Sequence, residues 1–168
     1  MIFLSVGNAK QGFRRLLEAV DNMAAESKFG DETIFVQSGN NPDFRPRFCQ
    51  QKAFLSMEEF TECIARATQV ICHGGAGTLI HVLQAGKIPV AMPRRKEYKE
   101  HVDNHQVELV KALAEKGKVI AALEPADLPG AVAEARHRIP AITNTAQPPV
   151  LNIVQQAIWE LTNDNSWD

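Results

Sequence analysis

Residues 70–78 read Val-Ile-Cys-His-Gly-Gly-Ala-Gly-Thr, an apolar run that ends in three glycines flanked by histidine and threonine. The apolar run predicts a buried strand, and a helix is expected to begin directly after the glycines. Glycine lets the backbone approach a ligand closely, and the first N–H groups of a helix favour an anion. A tight structural turn is the alternative, but three glycines with these neighbours favour a phosphate-binding turn.

Strands and helices alternate on both sides of this turn. The expected strands are residues 2–6, 33–37, 52–55, 70–72, 88–92 and 118–121. The expected helices are residues 13–23, 78–85, 105–116, 125–138 and 150–161, with a further helix that begins at Ser56 and has Glu59 in a capping box. Repeated strand–helix units predict a parallel sheet covered by helices on both faces. We therefore expect one α/β, Rossmann-like domain over residues 1–168, in which residues 147–168 form a C-terminal helix.

Composition excludes several classes of function. The chain has 168 residues and a net charge of −2, which is long enough for one core and gives no support for nucleic acid as a partner. Residues 1–6 lack the basic leader of a signal peptide, and no apolar run reaches the roughly 20 residues of a membrane span. We expect a cytoplasmic protein, peripheral to the membrane only through a partner.

A second polar cluster covers residues 93–97 and 100–106, where a predicted strand ends. Its carboxamides, carboxylates and imidazoles suit the directed hydrogen bonds of a sugar, although a solvated loop that caps a helix explains the same residues. His101 and His105 are four residues apart, but the segment has no zinc signature and we expect no metal. A nicotinamide dinucleotide is disfavoured because the first strand is not followed by Gly-x-Gly-x-x-Gly.

Seven short motifs follow one another along residues 1–138. They are Ser5-Val6-Gly7, Gln37-Ser38-Gly39, Phe54-Leu55-Ser56-Met57, residues 73–78, Gly86-Lys87-Ile88-Pro89, Pro93-Arg94-Arg95 and Asp103-Asn104-His105-Gln106. Their order resembles the C-terminal domain of family 28 glycosyltransferases. It is most similar to the stand-alone forms, namely the subunit of a split N-acetylglucosamine transferase and the subunits of bacterial exopolysaccharide glycosyltransferases. The resemblance implies the C-terminal half of a GT-B fold, which binds a UDP-sugar as substrate and uses no cofactor.

The resemblance also implies which residues bind the nucleotide sugar. The diphosphate residues would be Gly7, Asn8, His73, Gly74, Gly75, Ala76, Gly77 and Thr78. The uracil would lie near Phe54, Leu55 and Met57, and the sugar near Asn104, His105 and Gln106. Many relatives bind the ribose through a glutamate on the helix after the glycines, where this chain has His81. A histidine cannot accept two hydroxyl protons at once, so ribose binding by His81 is the open position.

A GT-B enzyme needs a second domain for the acceptor. We expect a membrane-associated partner to supply it, and residues Val150, Ile153, Val154, Ile158, Trp159 and Leu161 either dock on that partner or cover the chain's own sheet. Association of the chain with further copies of itself is a second alternative. The expected function is transfer of a hexosyl group from a UDP-sugar to a lipid-linked or saccharide acceptor, with His73 stabilising the leaving diphosphate. The alternatives are a non-catalytic sugar-nucleotide-binding module and a small hydrolase built on His73 or His101.

Overall fold

The computed structural model of the chain describes residues 1–138 and 150–163. The strands are β1 Ile2–Ser5, β2 Ile34–Gln37, β3 Gln50–Lys52, β4 Gln69–His73, β5 Val90–Met92 and β6 Ile120–Ala121. The helices are α1 Arg14–Ala25, α2 Met57–Arg66, α3 Ala76–Gln84, α4 His105–Glu115, α5 Leu128–His137 and α6 Val150–Asn163. A 3₁₀ turn, Pro125–Asp127, precedes α5.

The six strands form one parallel sheet in the order β3-β2-β1-β4-β5-β6. The predicted Rossmann-like α/β fold is therefore confirmed. The expected strand over residues 52–55 was misplaced, because the pairing with β2 uses Gln50–Lys52 instead. This edge strand is exposed throughout, so no apolar pattern marks its position.

The alternation of side chains along β1 divides the core into two layers. Ile2 and Leu4 pack with α1 and α5 on one face, whereas Phe3 packs with α2, α3, α4 and α6 on the other. Both faces of the sheet are thus covered by helices, and the carboxyl edge of the strands is left to the loops. Ligands of parallel sheets bind at that edge.

Helix α6 lies against α3 and α4. Its Val154 and Ala157 are fully buried in the second core layer, while Ile158 and Trp159 are exposed. One side of α6 therefore covers the chain's own domain, as one of the two alternatives expected. The side chains of Val150 and Leu161 lie outside the described residues, as do residues 139–149 and 164–168.

The local signals for helix ends were correct. Ser56 Oγ accepts the Glu59 amide at 3.1 Å, and the Glu59 carboxylate accepts the Ser56 amide at 2.9 Å, which is the expected capping box. Gly86 and Gly117 follow α3 and α4 with φ of 72° and 67°. Such positive φ favours glycine, so both residues end their helices as predicted.

One buried arginine holds the loop between β1 and α1 in place. The Arg94 side chain is fully buried, and its guanidinium donates to the carbonyl oxygens of Val6, Gln11, Gly12 and Glu100 at 2.8–3.1 Å. Its guanidinium carbon also lies 4.9 Å from the centre of the Phe13 ring. Burial lowers the pKa of Arg94 to about 10, so the group remains charged at neutral pH. Arg94 thereby joins the end of β5 to the loop that follows β1.

Arg94→Lys should destabilise the protein by about 3 kcal/mol, because a lysine cannot supply the planar fork and leaves buried carbonyl groups without donors. Urea denaturation measures this change. Arg66→Lys is the matched control, since Arg66 forms only an exposed pair with Glu62 and its replacement should cost less than about 0.5 kcal/mol. Equal stability of the two variants would contradict the role of Arg94.

Candidate functional site

An open pocket of about 290 Å³ lies at the carboxyl edge of the sheet. It contains the end of β1, the glycine turn after β4 and the start of α2. The expected site residues that line it are Gly7, Asn8, Leu55, Met57, His73, Gly75, Gly77, Thr78 and His81. Residues predicted from three separate motifs, together with His81, therefore meet at one place.

The His73 ring is held between two glycines. A Cβ atom placed on Gly7 would lie 2.5 Å from His73 Cε1, and one placed on Gly75 would lie 2.3 Å from His73 Nε2. Gly7 also has a φ of 72°, which a residue with a side chain rarely adopts. These two glycines are therefore needed to accommodate the imidazole, and a valine at Gly75 would displace His73 as well as any ligand.

The His73 imidazole is neutral. Burial, followed by the nearby Arg94 guanidinium, lowers the pKa of His73 from 6.5 to about 4. Its Nδ1 atom is buried and has no hydrogen-bond partner among the described residues. A buried polar atom without a partner is costly, and functional sites are where such atoms concentrate.

Helix α3 begins at the pocket. Gly75 is its N-cap residue and adopts an extended backbone, with no side-chain cap and no acidic residue in the first turn. The first N–H groups of a helix have no partner within the helix, and they carry the positive end of its dipole. Gly77, in this first turn, lines the pocket, and a Cβ atom added there would meet no atom within 4 Å. The helix end is thus open to an anion.

The opposite wall of the pocket comes from α2 and the residues before it. Leu55, Ser56, Met57 and Phe60 line this wall, and the His81 ring lies edge-to-face with Phe60 at a centroid distance of 5.9 Å. Phe54, which was expected beside the uracil, is 45% exposed and does not line the pocket. The wall can contact a flat apolar group, with His81 at one end.

Three residues expected at the sugar do not line this pocket, although one of them, Gln106, lies beside Gly74 of the glycine turn. Asn104 accepts the Lys96 amide and donates to Glu97, each at 2.9 Å, and Gln106 accepts the Arg94 amide at 3.1 Å. His105 is exposed and its Nδ1 lies 3.1 Å from Asp103. These contacts order the loop before α4, so sugar binding by the three residues stays a prediction.

Two other expected residues serve the glycine turn without lining the pocket. A Cβ atom on Gly74 would lie 2.7 Å from Val110 Cγ2, so this glycine permits close packing against α4. Ala76 is the first residue of α3 and packs against the second core layer. Both residues therefore fix the turn rather than face an open space.

His101 and His105 share one carboxylate oxygen. The Nδ1 atoms of both rings lie 3.0 and 3.1 Å from Asp103 Oδ1. Within residues 1–138 and 150–163, no group of three or more His, Cys, Asp or Glu side chains is arranged to hold a metal ion. The segment is a hydrogen-bonded loop at the carboxyl edge of β5.

Sequence reasoning expected no ligand contact from three residues that line the pocket, Gln37, Phe60 and Ser56, the last of which was expected only as a helix cap. Gln37 ends β2, the neighbour of β1, so the rule that parallel strands end at one edge could have identified it. Phe60 has no such signal, because its place in the helical pattern reads as core.

Two other pockets lie away from this edge. One of about 320 Å³ is formed by α2 with β2, β3 and Met1, and one of about 410 Å³ lies between α1 and the loop that contains Arg45. No glycine turn at the start of a helix lines either of these two pockets. Among the helices of the described part, none has the length and apolarity that a bilayer crossing requires.

Several solved structures share this fold. The glycotransferase of kitacinnamycin is 17% identical with a TM-score of 0.60, and SnogD from Streptomyces nogalater is 17% identical with a TM-score of 0.54. In both, the alignment covers 96% of this chain and 39% of the other. MurG of Acinetobacter baumannii is 22% identical with a TM-score of 0.52, over 94% and 49% of the two chains. The chain thus spans between two-fifths and half of these GT-B proteins.

No curated protein matches the sequence. The family profile described as the glycosyltransferase family 28 C-terminal domain, in contrast, matches residues 1–160. With the sheet order, both covered faces and the GT-B neighbours, this match confirms the expected fold as the C-terminal half of a GT-B glycosyltransferase. The chain belongs to glycosyltransferase family 28, as a C-terminal domain of that family.

Proposed function

We propose that the chain binds the donor of a hexosyl transfer reaction, a UDP-sugar, with the diphosphate at the start of α3. One observation carries the proposal: the neutral His73 ring is held between Gly7 and Gly75, beside the open end of a helix, with a buried nitrogen that lacks a partner among the described residues. The first residues of α3 and the His73 ring lie together at this part of the pocket. A diphosphate oxygen is the group that satisfies such donors.

The binding of this anion would depend on neutral donors. The described residues that line the pocket include no Lys, Arg, Asp or Glu. The remaining donors are backbone and neutral side-chain groups. They are the N–H groups of Ala76, Gly77 and Thr78 at the start of α3, the Thr78 hydroxyl and the Asn8 side-chain amide. Their attraction grows as negative charge develops on the leaving diphosphate, which stabilises the transition state more than the ground state.

The remaining subsites follow from the two walls of the pocket. The apolar wall of Leu55, Met57 and Phe60 would contact the uracil, and His81 would donate to or accept from a ribose hydroxyl. Asn104, His105 and Gln106 would reach the sugar from the start of α4, where Gln106 lies next to Gly74. None of the described residues that line the pocket carries a carboxylate, so the base that activates the acceptor would come from elsewhere.

The acceptor half would be supplied by a membrane-associated partner, which would hold the chain at the cytoplasmic membrane surface. The support is the exposed apolar side chains of the described residues near the carboxyl edge of the sheet and on α6. Tyr98 and Val102, on the loop at the carboxyl edge, are 51% and 68% exposed, and Ile158 and Trp159 are exposed on α6. A lipid-linked or exopolysaccharide acceptor fits such a partner. A second copy of the chain would leave the acceptor site unfilled.

A second candidate function is a sugar-nucleotide-binding module without turnover. The absence of a carboxylate among the described residues that line the pocket favours it. The two functions predict the same affinity for UDP and differ only in transfer. A test with the partner present is therefore needed to separate them.

Gly77→Ala should weaken UDP binding at least about tenfold, because the added methyl group enters the space where the phosphate would approach the helix. It should also raise the free energy of unfolding by roughly 0.5–1 kcal/mol, since alanine replaces glycine inside a helix. Calorimetric titration with UDP and thermal unfolding measure the two effects.

Gly130→Ala is the control for this change. Gly130 lies in α5, far from the pocket, and a Cβ atom there also meets nothing within 4 Å. This variant should gain stability and keep its affinity for UDP. If both variants bound UDP equally well, the glycine turn would be structural only.

The His73 imidazole should stay neutral between pH 8 and pH 5.5 in the free protein, as its pKa of about 4 requires. Bound UDP should raise this pKa, because a neighbouring negative charge favours the protonated ring. NMR titration of the ring resonances measures both states, and uridine, which lacks phosphates, should leave the pKa unchanged. A ring that titrates near 6.5 without UDP would contradict the buried geometry.

The same pKa predicts a dependence of stability on pH. The unfolded chain binds the His73 proton more readily than the folded chain, so the contribution of His73 to stability is present above pH 6.5 and is lost as the pH falls toward about 4. His73→Gln should reduce the loss of stability between pH 6.5 and pH 4. A curve that is unchanged by this replacement would show that His73 does not titrate as proposed.

The two-component proposal predicts that the purified chain transfers no sugar alone and does so when a membrane fraction of the source cells is added. Labelled UDP-sugars report the transfer, and Gly77→Ala should abolish it while Gly130→Ala does not. If a chain that binds UDP remains inactive with every membrane fraction and donor, the non-catalytic module is the better account.

A further inference from the structure

A buried chain of hydrogen bonds runs beneath the pocket from β1 to β2. The Gly7 amide lies 3.3 Å from Ser5 Oγ, and Ser5 Oγ lies 2.6 Å from Gln37 Oε1. Gln37 Nε2 in turn lies 2.9 Å from Asn8 Oδ1. Ser5 and Gln37 are buried, whereas Asn8 is exposed at the rim of the pocket. The chain therefore links a backbone amide in the glycine loop to a side chain that faces the pocket.

The Gly7 amide and the short distance between Ser5 and Gln37 together indicate which groups donate and which accept in this chain of hydrogen bonds. A backbone N–H can only donate, so Ser5 Oγ accepts from Gly7. The Ser5 hydroxyl donates its single proton to Gln37 Oε1, because the distance of 2.6 Å suits an O–H···O bond and is shorter than the N–H···O bond that a turned amide would make. This arrangement turns the nitrogen of Gln37 toward Asn8, whose carbonyl oxygen accepts it.

The consequence is that Asn8 presents a donor to the pocket. Its Oδ1 atom is occupied by Gln37, and among the described residues its Nδ2 atom makes no hydrogen bond. An amide turned the other way would present a carbonyl oxygen, which repels an anion. We propose that Gln37 is a positioning residue that orients the Asn8 amide so that its N–H groups face the diphosphate. This inference rests on the proposed binding of a UDP-sugar.

A double-mutant cycle tests this role. Calorimetric titrations with UDP and with uridine are carried out on the full chain and on Asn8→Ala, Gln37→Met and the double variant. Gln37→Met should lower the affinity for UDP about tenfold, as expected for loss of one hydrogen bond to a charged group. It should leave the affinity for uridine unchanged, and it should cause no further loss in the Asn8→Ala background, because Gln37 acts through Asn8.

Gln69→Met is the matched control. Gln69 is also a buried glutamine of the sheet, but it lies at the amino end of β4 and donates to the Val132 carbonyl at 3.2 Å. The same chemical change there should leave the affinity for UDP within twofold of that of the unchanged chain. A loss at Gln69→Met equal to that at Gln37→Met would overturn the proposal, because general destabilisation would then explain both.

Two further outcomes would overturn it. These are an equal loss of UDP and uridine affinity at Gln37→Met, and a tenfold loss that persists when Asn8 is already alanine. Thermal unfolding shows whether the variants are folded, and Ser5→Ala provides a second variant that should weaken UDP binding by freeing the Gln37 amide to turn.

The proposal has a measurement that needs no nucleotide. In the free protein, NMR should show contacts between the side-chain amide protons of Gln37 and the Asn8 side chain, and Gln37→Met should shift the Asn8 amide resonances. Failure of the unchanged chain to bind UDP would contradict the proposed function. Absence of these NMR contacts would contradict the positioning role, whether or not UDP binds.

Discussion

The buried Arg94 guanidinium is the interaction on which the geometry of this edge of the sheet depends. It joins the carboxyl end of β5 to the loop after β1 through three carbonyl oxygens of that loop, donates to a fourth at Glu100, and lies over the Phe13 ring. A buried charge is costly unless it is hydrogen-bonded, and the carbonyl oxygens that contact Nη1 and Nη2 of Arg94 meet much of that need. The same charge helps to lower the pKa of His73. The position of the glycine loop and the neutral state of the imidazole therefore have a common origin.

The pocket itself combines three structural constraints. Gly7 and Gly75 make room for His73, the end of α3 remains uncapped by any side chain, and the network through Gln37 orients Asn8. Each of these three constraints leaves a polar nitrogen that has no hydrogen-bond partner among the described residues. None of the three places a charged side chain in the pocket. Such a site would hold the diphosphate through oriented dipoles rather than through ion pairs. Dipoles held in place by the fold need little reorganisation when charge develops on a leaving group, which is the property that transferase chemistry requires.

The fold and the centre of the site were predictable from local patterns in the sequence. The strand before the glycines, the capping box at Ser56 and the helix ends at Gly86 and Gly117 each depend on neighbours a few residues away. Arg94 and Gln37 were missed because their roles depend on contacts with residues 29 to 88 positions distant, which no local pattern records. Edge strand β3 was misplaced because its exposed side chains carry no apolar alternation. Phe54 precedes Leu55 without lining the pocket itself, so its place beside the uracil stays a prediction.

The central claim is that the start of α3 binds a diphosphate. The most direct test follows the backbone amide resonances of the chain by NMR during titration with UDP. Binding as proposed predicts that the largest changes occur at Ala76, Gly77 and Thr78 and that uridine produces much smaller changes there. Changes centred on the pocket between α2 and β3, or identical changes with UDP and uridine, would contradict the account.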